Sequence, residues 1–234
     1  LTQTGTDKLF PPAALRRRDN RIEENMFYIF DNAVYPEKSE ILFHDGFSGK
    51  VGDNWEVAGG GWTIQDGVLL GCIRENRGGL IYSHMQYPGD IMLDFYGTLV
   101  SPCKNDLNFT FRASGWDKFN HDADTSYIGG LGGWWTGRAG IEKYPDCRLQ
   151  ALTGAFQPES GREYHIQAGI IGDRCFLAVD GAVIVEMRDP EPICHPGSNR
   201  VGLGVYCSKA QFRDFKVLRP KYEHQKLCYP LPEF

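Results

Sequence analysis

The sequence predicts an all-β sandwich or jelly roll, and three observations predict it. Short runs with apolar residues at alternate positions recur along the chain, separated by Gly, Pro, Asp or Asn. The 28 glycines and 13% aromatic content fit a turn-rich sheet protein. No segment keeps a convincing helical period over three turns.

Residues 1–40 are polar, carry Pro11-Pro12 and show one apolar burst at 26–30, so they read as an arm laid over the domain. Regular alternation starts at Ile41. Strands are expected at 62–65, 68–73, 79–84, 91–100, 107–113, 126–131, 148–152, 163–171, 175–179, 182–187, 200–207 and 211–218. The first pair flanks Asp66-Gly67, with Trp62 and Ile64 before it and Val68, Leu70 and Cys72 after it, the pattern of a hairpin closed by a two-residue turn. Beyond Pro220 a tail packs through Tyr222, Leu227 and Tyr229. The expected division is therefore an arm (1–40), a sandwich (41–219) and a tail (220–234).

At 234 residues and 41% hydrophobic content the chain can build one large all-β domain. A net charge of −5, from 25 basic and 30 acidic residues, offers no basic stripe, which argues against nucleic acid as a partner. Arg16-Arg17-Arg18 is followed at once by acidic residues and reads as solvated. No apolar run reaches the roughly 18 residues that span a bilayer, so no membrane partner is expected. Seven cysteines without a CxxC pair suit neither a zinc site nor a complete disulfide framework. Cys175 and Cys207 alternate with apolar neighbours and read as small buried hydrophobes. A reducing, cytoplasmic setting is favoured. Because the chain begins with Leu, a removed leader and a secreted or periplasmic setting stay open.

In residues 91–99, Ile91, Leu93, Phe95 and Leu99 share one face and Met92, Asp94, Tyr96 and Thr98 the other. Residues 107–113 repeat the division, with Leu107, Phe109 and Phe111 against Asn108, Thr110 and Arg112. The connection is short enough for a hairpin, which would set Asp94 beside Arg112 on one outer face with Tyr96 and Asn108. That face is either solvated, its ion pair worth about 0–1 kcal/mol, or the floor of a carbohydrate groove. Asn108-Phe109-Thr110 matches a glycosylation sequon, but its mid-strand position makes the match accidental.

Residues 114–143 are the least strand-like and carry Trp116, His121, Asp122, Asp124, Trp134, Trp135, Arg138, Glu142 and Lys143. Exposed tryptophans need an apolar partner, and a pyranose face is one. His121, Asp122 and Asp124 suit metal ligation or general acid and base work, and equally a solvated loop. His165 lies on the less apolar face of its strand and lines a groove or is an ordinary surface histidine.

The stretches "ILFHDGFSG", "NWEVAGGGWTIQDGVLLG", "GGLIYS", "GDIMLDFYGTL" and "GSNRVGLGVYCSKAQFRDFKVL" resemble bacterial concanavalin A-like jelly-roll domains, most of all the 3-keto-disaccharide hydrolase-like group and allied small sugar-degradation proteins. The likeness covers roughly residues 41–219 and assigns Trp55 and Trp62 to the scaffold. It implies chemistry on an oxidised glycoside, where elimination needs a base and an enolate stabiliser. It also implies a structural calcium, with Asp45 and Asp214 brought together by adjacent first and last strands. The paired acids that glucanases of this fold carry on one strand are absent here.

Two functions stand. One is a glycoside-cleaving lyase or hydrolase using Asp94, Arg112, His121, Asp124 and Glu142, with substrate held by Tyr96, Asn108, Trp116, Trp134, Trp135, Arg138 and His165. The other is a non-catalytic carbohydrate-binding or accessory subunit. Homo-oligomerisation is open.

Overall fold

A computed structural model describes residues 26–75, 77–120, 122–133 and 137–225. Its elements begin with β1 (Phe27–Ile29), β2 (Asn32–Asp45), α1 (Val51–Asn54), β3 (Trp55–Val57), β4 (Gly61–Gln65), β5 (Val68–Cys72) and β6 (Gly78–Ser83). There follow β7 (Ile91–Leu99), β8 (Leu107–Ala113), β9 (Trp116–Asp117), β10 (Asp122–Ala123), β11 (Ser126–Gly133), β12 (Arg138–Tyr144) and β13 (Gln150–Thr153). The last are β14 (Glu163–Ile171), β15 (Arg174–Val179), β16 (Ala182–Arg188), β17 (Arg200–Tyr206) and β18 (Lys209–His224). Two antiparallel sheets face each other. The first runs β1-β2-β18-β7-β14-β15-β16, with the β4–β5 hairpin joined to β18; the second runs β13-β12-β11-β8-β17-β6-β3.

Alternation fills the space between the sheets. Leu93 and Phe95 from the first meet Phe109 and Phe111 from the second, all fully buried, and the Phe95 and Phe109 rings cross edge-on at 6.1 Å. Trp55 lies among Phe43, Phe47 and Phe215, its ring 5.1 Å from that of Phe215. The β4–β5 hairpin has the expected register, Gln65 opposite Val68, and its turn puts Asp66 at φ 52° and Gly67 at φ 76°. Both values are left-handed, as a two-residue turn matching strand twist requires. Trp62 tilts over Phe212 with ring centres 6.1 Å apart, so both scaffold tryptophans pack where the sequence put them.

Several expectations are corrected. β7 and β8 do not form a hairpin: β7 pairs with β14 and β18 in the first sheet, and β8 with β11 and β17 in the second. The short connection steps from one layer to the other. Because both apolar sets point into the shared core, Asn108 and Thr110 face away from Asp94 and Tyr96, and Arg112, whose backbone turns at φ 52°, binds Asn199 and Gly89 and not Asp94. Residues 138–144, expected as loop, form β12 and pair with β11. Residues 27–40, expected as arm, form β1 and most of β2 within the first sheet, and β18 continues into the expected tail as far as His224. Cys175 is buried as expected, whereas Cys207 is exposed.

The β1–β2 hairpin explains apolar residues that point outward from the first sheet. Met92, Phe176 and Leu218 lie on its outer face and form a second small core with Phe27 and Ile29. The Phe27 and Phe176 rings stand 5.9 Å apart, and Asp31 pairs with Arg174 across the same junction. The N-terminal hairpin therefore roofs part of that outer face.

Candidate functional site

The outer face of the second sheet carries an unusual row. In register across six strands stand Leu152, Gly140, Gly130, Asn108, Gly204 and Leu80. The glycines let their neighbours lie down on the sheet. A Cβ on Gly130 would overlap the Asn108 amide, one on Gly140 the Leu152 side chain, and one on Gly204 the tip of Leu80 at 2.6 Å. Low relief results, with one amide at its centre. The adjacent row holds Glu142, Ile128, Thr110, Gly202, Tyr82 and Glu56.

The β9–β10 ribbon crosses this face as a wall. Its Ala123 packs with Leu80, Tyr82 and Ala113, and Trp116, Ile128 and Tyr144 border the same cluster. At one side Tyr144 Oη donates to Asp122 Oδ2 at 2.6 Å. At the other, a Cβ on Gly59 would meet the Trp116 indole at 3.5 Å. Phe119 projects from the ribbon tip with 96% of its surface exposed. The opposite rim is made by Asp106 and by Tyr206, which is 41% exposed and lies opposite Gly78. The strip between ribbon and rim, with the Asn108 row along it, is called the trough.

Two polar atoms here have no hydrogen-bond partner: the buried Asn108 Oδ1 and the hydroxyl of fully buried Tyr82. Such atoms are usually matched by water or ligand. Burial pushes the Tyr82 phenol well above its ordinary value, with Arg200 opposing and Asp122, Asp124 and Glu56 adding to the rise. Arg200 lies over the Tyr82 ring at 5.1 Å while its Nη2 meets Glu56 at 2.7 Å and its Nε donates to the Ser83 carbonyl. The Asp106 carboxyl is raised by burial against the help of Asn105 and Asn108. Tyr144 is raised by burial and by Asp122, and the Cys147 thiol is pushed up to about 12 by burial, Glu142, Asp146 and Asp122.

The sequence-predicted residues divide between two faces. Asn108, Trp116, Asp124 and Glu142 belong to the second sheet's outer side, and exposed Arg138 begins β12 there. Asp94, Tyr96 and His165 lie on the outer face of the first sheet. There Asp94, 8% exposed, accepts from Gln167 at 2.7 Å and bonds His165 Nε2 at 3.0 Å. Tyr96 stacks on His165 at 4.8 Å, and Arg213 covers Tyr96 at 4.3 Å while pairing with Glu163. A shallow hollow touches Tyr96, Thr98 and Gln211, but the ring beside it is already flanked by imidazole and guanidinium, which leaves little aromatic surface for a ligand.

Arg112 is on neither face. Its backbone turns at φ 52°, and the guanidinium donates to Asn199 Oδ1 at 3.0 Å and the Gly89 carbonyl at 2.8 Å, tying two loops at one end of the sandwich. Asp45 and Asp214, expected together at a calcium ion, are each engaged by other groups. β2 and β18 are adjacent, but Asp45 spends its oxygens on Phe47 N, Asn54 Nδ2 and Trp55 Nε1, whereas Asp214 binds His44 and Lys216. Among the described residues no three His, Cys, Asp or Glu side chains gather as metal ligands. His121, Trp134 and Trp135 lie outside the described residues.

Tyr82, Asp106, Tyr144, Arg200 and Tyr206 were not singled out from sequence. The signal that could have found them was glycine at alternate, outward positions of β17 and opposite Asn108 in β11, since strand-interior glycine marks close approach.

No family model matches the chain, and no curated protein sequence matches it. Solved structures do. A protein of unknown function with galectin-like fold from Bacillus subtilis superposes with a TM-score of 0.61 at 14% identity, over 77% of this chain and 96% of its own. The carbohydrate-binding module CBM66 from Bacillus subtilis gives 0.55 at 18%, over 71% and 96%. The exoplasmic/lumenal domain of VIP36 in its Ca2+/Man3GlcNAc-bound form gives 0.55 at 10%, over 85% and 92%. The chain thus has the concanavalin A-like, galectin-like jelly-roll fold.

Proposed function

We propose that the protein binds carbohydrate in the trough on the outer face of the second sheet. The observation that carries this reading is the Asn108 row, a flat strip on which the Asn108 amide lies against Gly130 with a buried, unpartnered carbonyl oxygen that a turn of the amide would offer to a sugar hydroxyl. Tyr206 at the rim and Trp116 and Phe119 of the ribbon supply aromatic surface for sugar faces. Likeness to CBM66 and to a glycan-bound lectin domain supports it at the level of fold.

A second reading, cleavage of a glycoside such as a 3-keto glycoside by lyase or hydrolase chemistry, draws on the Asp122–Tyr144 pair. There a carboxylate and a phenol kept protonated meet at 2.6 Å beside Glu142. Titration calorimetry against a glycan panel, with sugar release followed in parallel, tests both. Asn108→Ala and Tyr206→Ala should each weaken binding about tenfold or more at unchanged melting temperature. Glycan binding that survives both substitutions would place the ligand elsewhere. Turnover abolished by Asp122→Asn with binding retained would move the conclusion to the enzyme.

A further inference from the structure

The trough carries an excess of carboxylates. Glu142 stands in one of its floor rows, Asp122 and Asp124 belong to the ribbon and its root, and Asp106 lies at the opposite rim. Against them stand exposed Arg138 at the start of β12 and Arg200, which is already committed to Glu56 and to the Ser83 carbonyl. Two acids on this face have anionic neighbours. Beyond burial, the groups acting most strongly on the Tyr144 phenol and the Cys147 thiol are the carboxylates of Asp122 and Glu142.

An anionic sugar entering here would give up water around its charge and meet like charges in return. A neutral sugar loses nothing of the kind, and its hydroxyls can donate to the same carboxylates. We propose that the trough selects uncharged glycans and rejects those bearing uronate or sulfate, with Glu142 and Asp106 as the specificity-determining charges. This rests on the carbohydrate reading above and adds the class of ligand. Selectivity arises from repulsion as much as from contact, so it falls with screening and with neutralisation of either carboxylate.

The test is calorimetric titration of the whole chain with neutral oligosaccharides and with uronate or sulfated oligosaccharides, each anionic member paired with its carboxyl-reduced or desulfated counterpart. Neutral and neutralised members should bind at least about tenfold more tightly than their anionic parents at low salt. The gap should narrow at high salt, a readout that needs no variant. It should narrow also in Glu142→Gln and in the Glu142→Gln, Asp106→Asn double variant. An anionic glycan that binds as tightly as its neutral counterpart, in a manner lost in Asn108→Ala, would overturn the charge inference and leave the carbohydrate site standing. No binding by any member of the panel would overturn the carbohydrate reading and this inference with it.

Discussion

Tyr144 Oη and Asp122 Oδ2, 2.6 Å apart, join strand β12 to the ribbon that walls the trough. The ribbon's own ladder holds only two residue pairs, Asp122 with Asp117 and Ala123 with Trp116. So short a ladder is not stable in isolation. Besides the bonds that close its root, the small cluster around Ala123 and this hydrogen bond hold it over the sheet.

Tyr144→Phe removes the donor and leaves the half-buried carboxylate with one partner fewer. A loss of about 1–2 kcal/mol of stability is expected, with faster amide exchange at Ser114 and Asp124, whose N–H groups close the ribbon root. Exchange at those two amides unchanged by the substitution would show that the bond does not hold the ribbon.

The floor row predicts a contrast between two glycines. A Cβ on Gly130 would overlap the Asn108 amide and lie 2.6 Å from the Leu107 carbonyl, whereas a Cβ on Gly154 meets nothing within 4 Å. Gly130→Ala should cost about 1–3 kcal/mol and displace Asn108, and Gly154→Ala should stay within about 0.5 kcal/mol. Chemical denaturation of the two variants side by side measures the difference. Equal stability would mean that Asn108 does not lie across Gly130.

Stability on the first sheet should depend on pH through His165. Its hydrogen bond to Asp94 raises the imidazole above its ordinary value of about 6.5, with burial opposing. A group whose folded value is raised gives its full stabilisation below the unfolded value and loses it as pH climbs through the folded one. The wild type should therefore lose stability relative to His165→Gln as pH rises from about 6.5 upward. Urea midpoints for both proteins at pH 5.5, 7 and 8.5 provide the measurement. A difference independent of pH would assign the His165–Asp94 contact to packing alone.

The β4–β5 hairpin and the inward faces of β7 and β8 were legible because both rest on local rules, the Asp66-Gly67 turn and the two-residue period. Which strand lies beside which is not local. The residues joining Leu99 to Leu107 suit a hairpin as well as a step between layers, so the polar faces of β7 and β8 were merged into one. The site was obscured for the same reason, because Gly140, Gly130 and Gly204 become a floor around Asn108 only once four strands are in register. The strand at 32–45 was hidden by Pro36 and the charged residues Glu37, Lys38 and Glu40, which break its alternation. Outward Met92 and Phe176 were a sign of its presence, since apolar residues on an outer face need a cover.

Arg112 separates the residue's expected role from its observed one. As a charge-stabilising group facing a sugar it would matter to turnover and little to folding. As observed, its guanidinium holds the Gly89 carbonyl and Asn199, and Asn199 in turn accepts from the Tyr87 amide through its carbonyl and donates to the Pro196 carbonyl. Arg112→Ala leaves buried Asn199 without its donor and the exposed Gly89 carbonyl to water, for which about 1–3 kcal/mol of lost stability is expected. Arg112→Lys should recover only part, because one ammonium cannot span both acceptors as the guanidinium fork does. Glycan affinity of the folded protein, measured well below its melting temperature, should stay within about twofold. An unchanged melting temperature together with a large loss of affinity or turnover in Arg112→Ala would return Arg112 to the ligand and overturn its assignment to the loops.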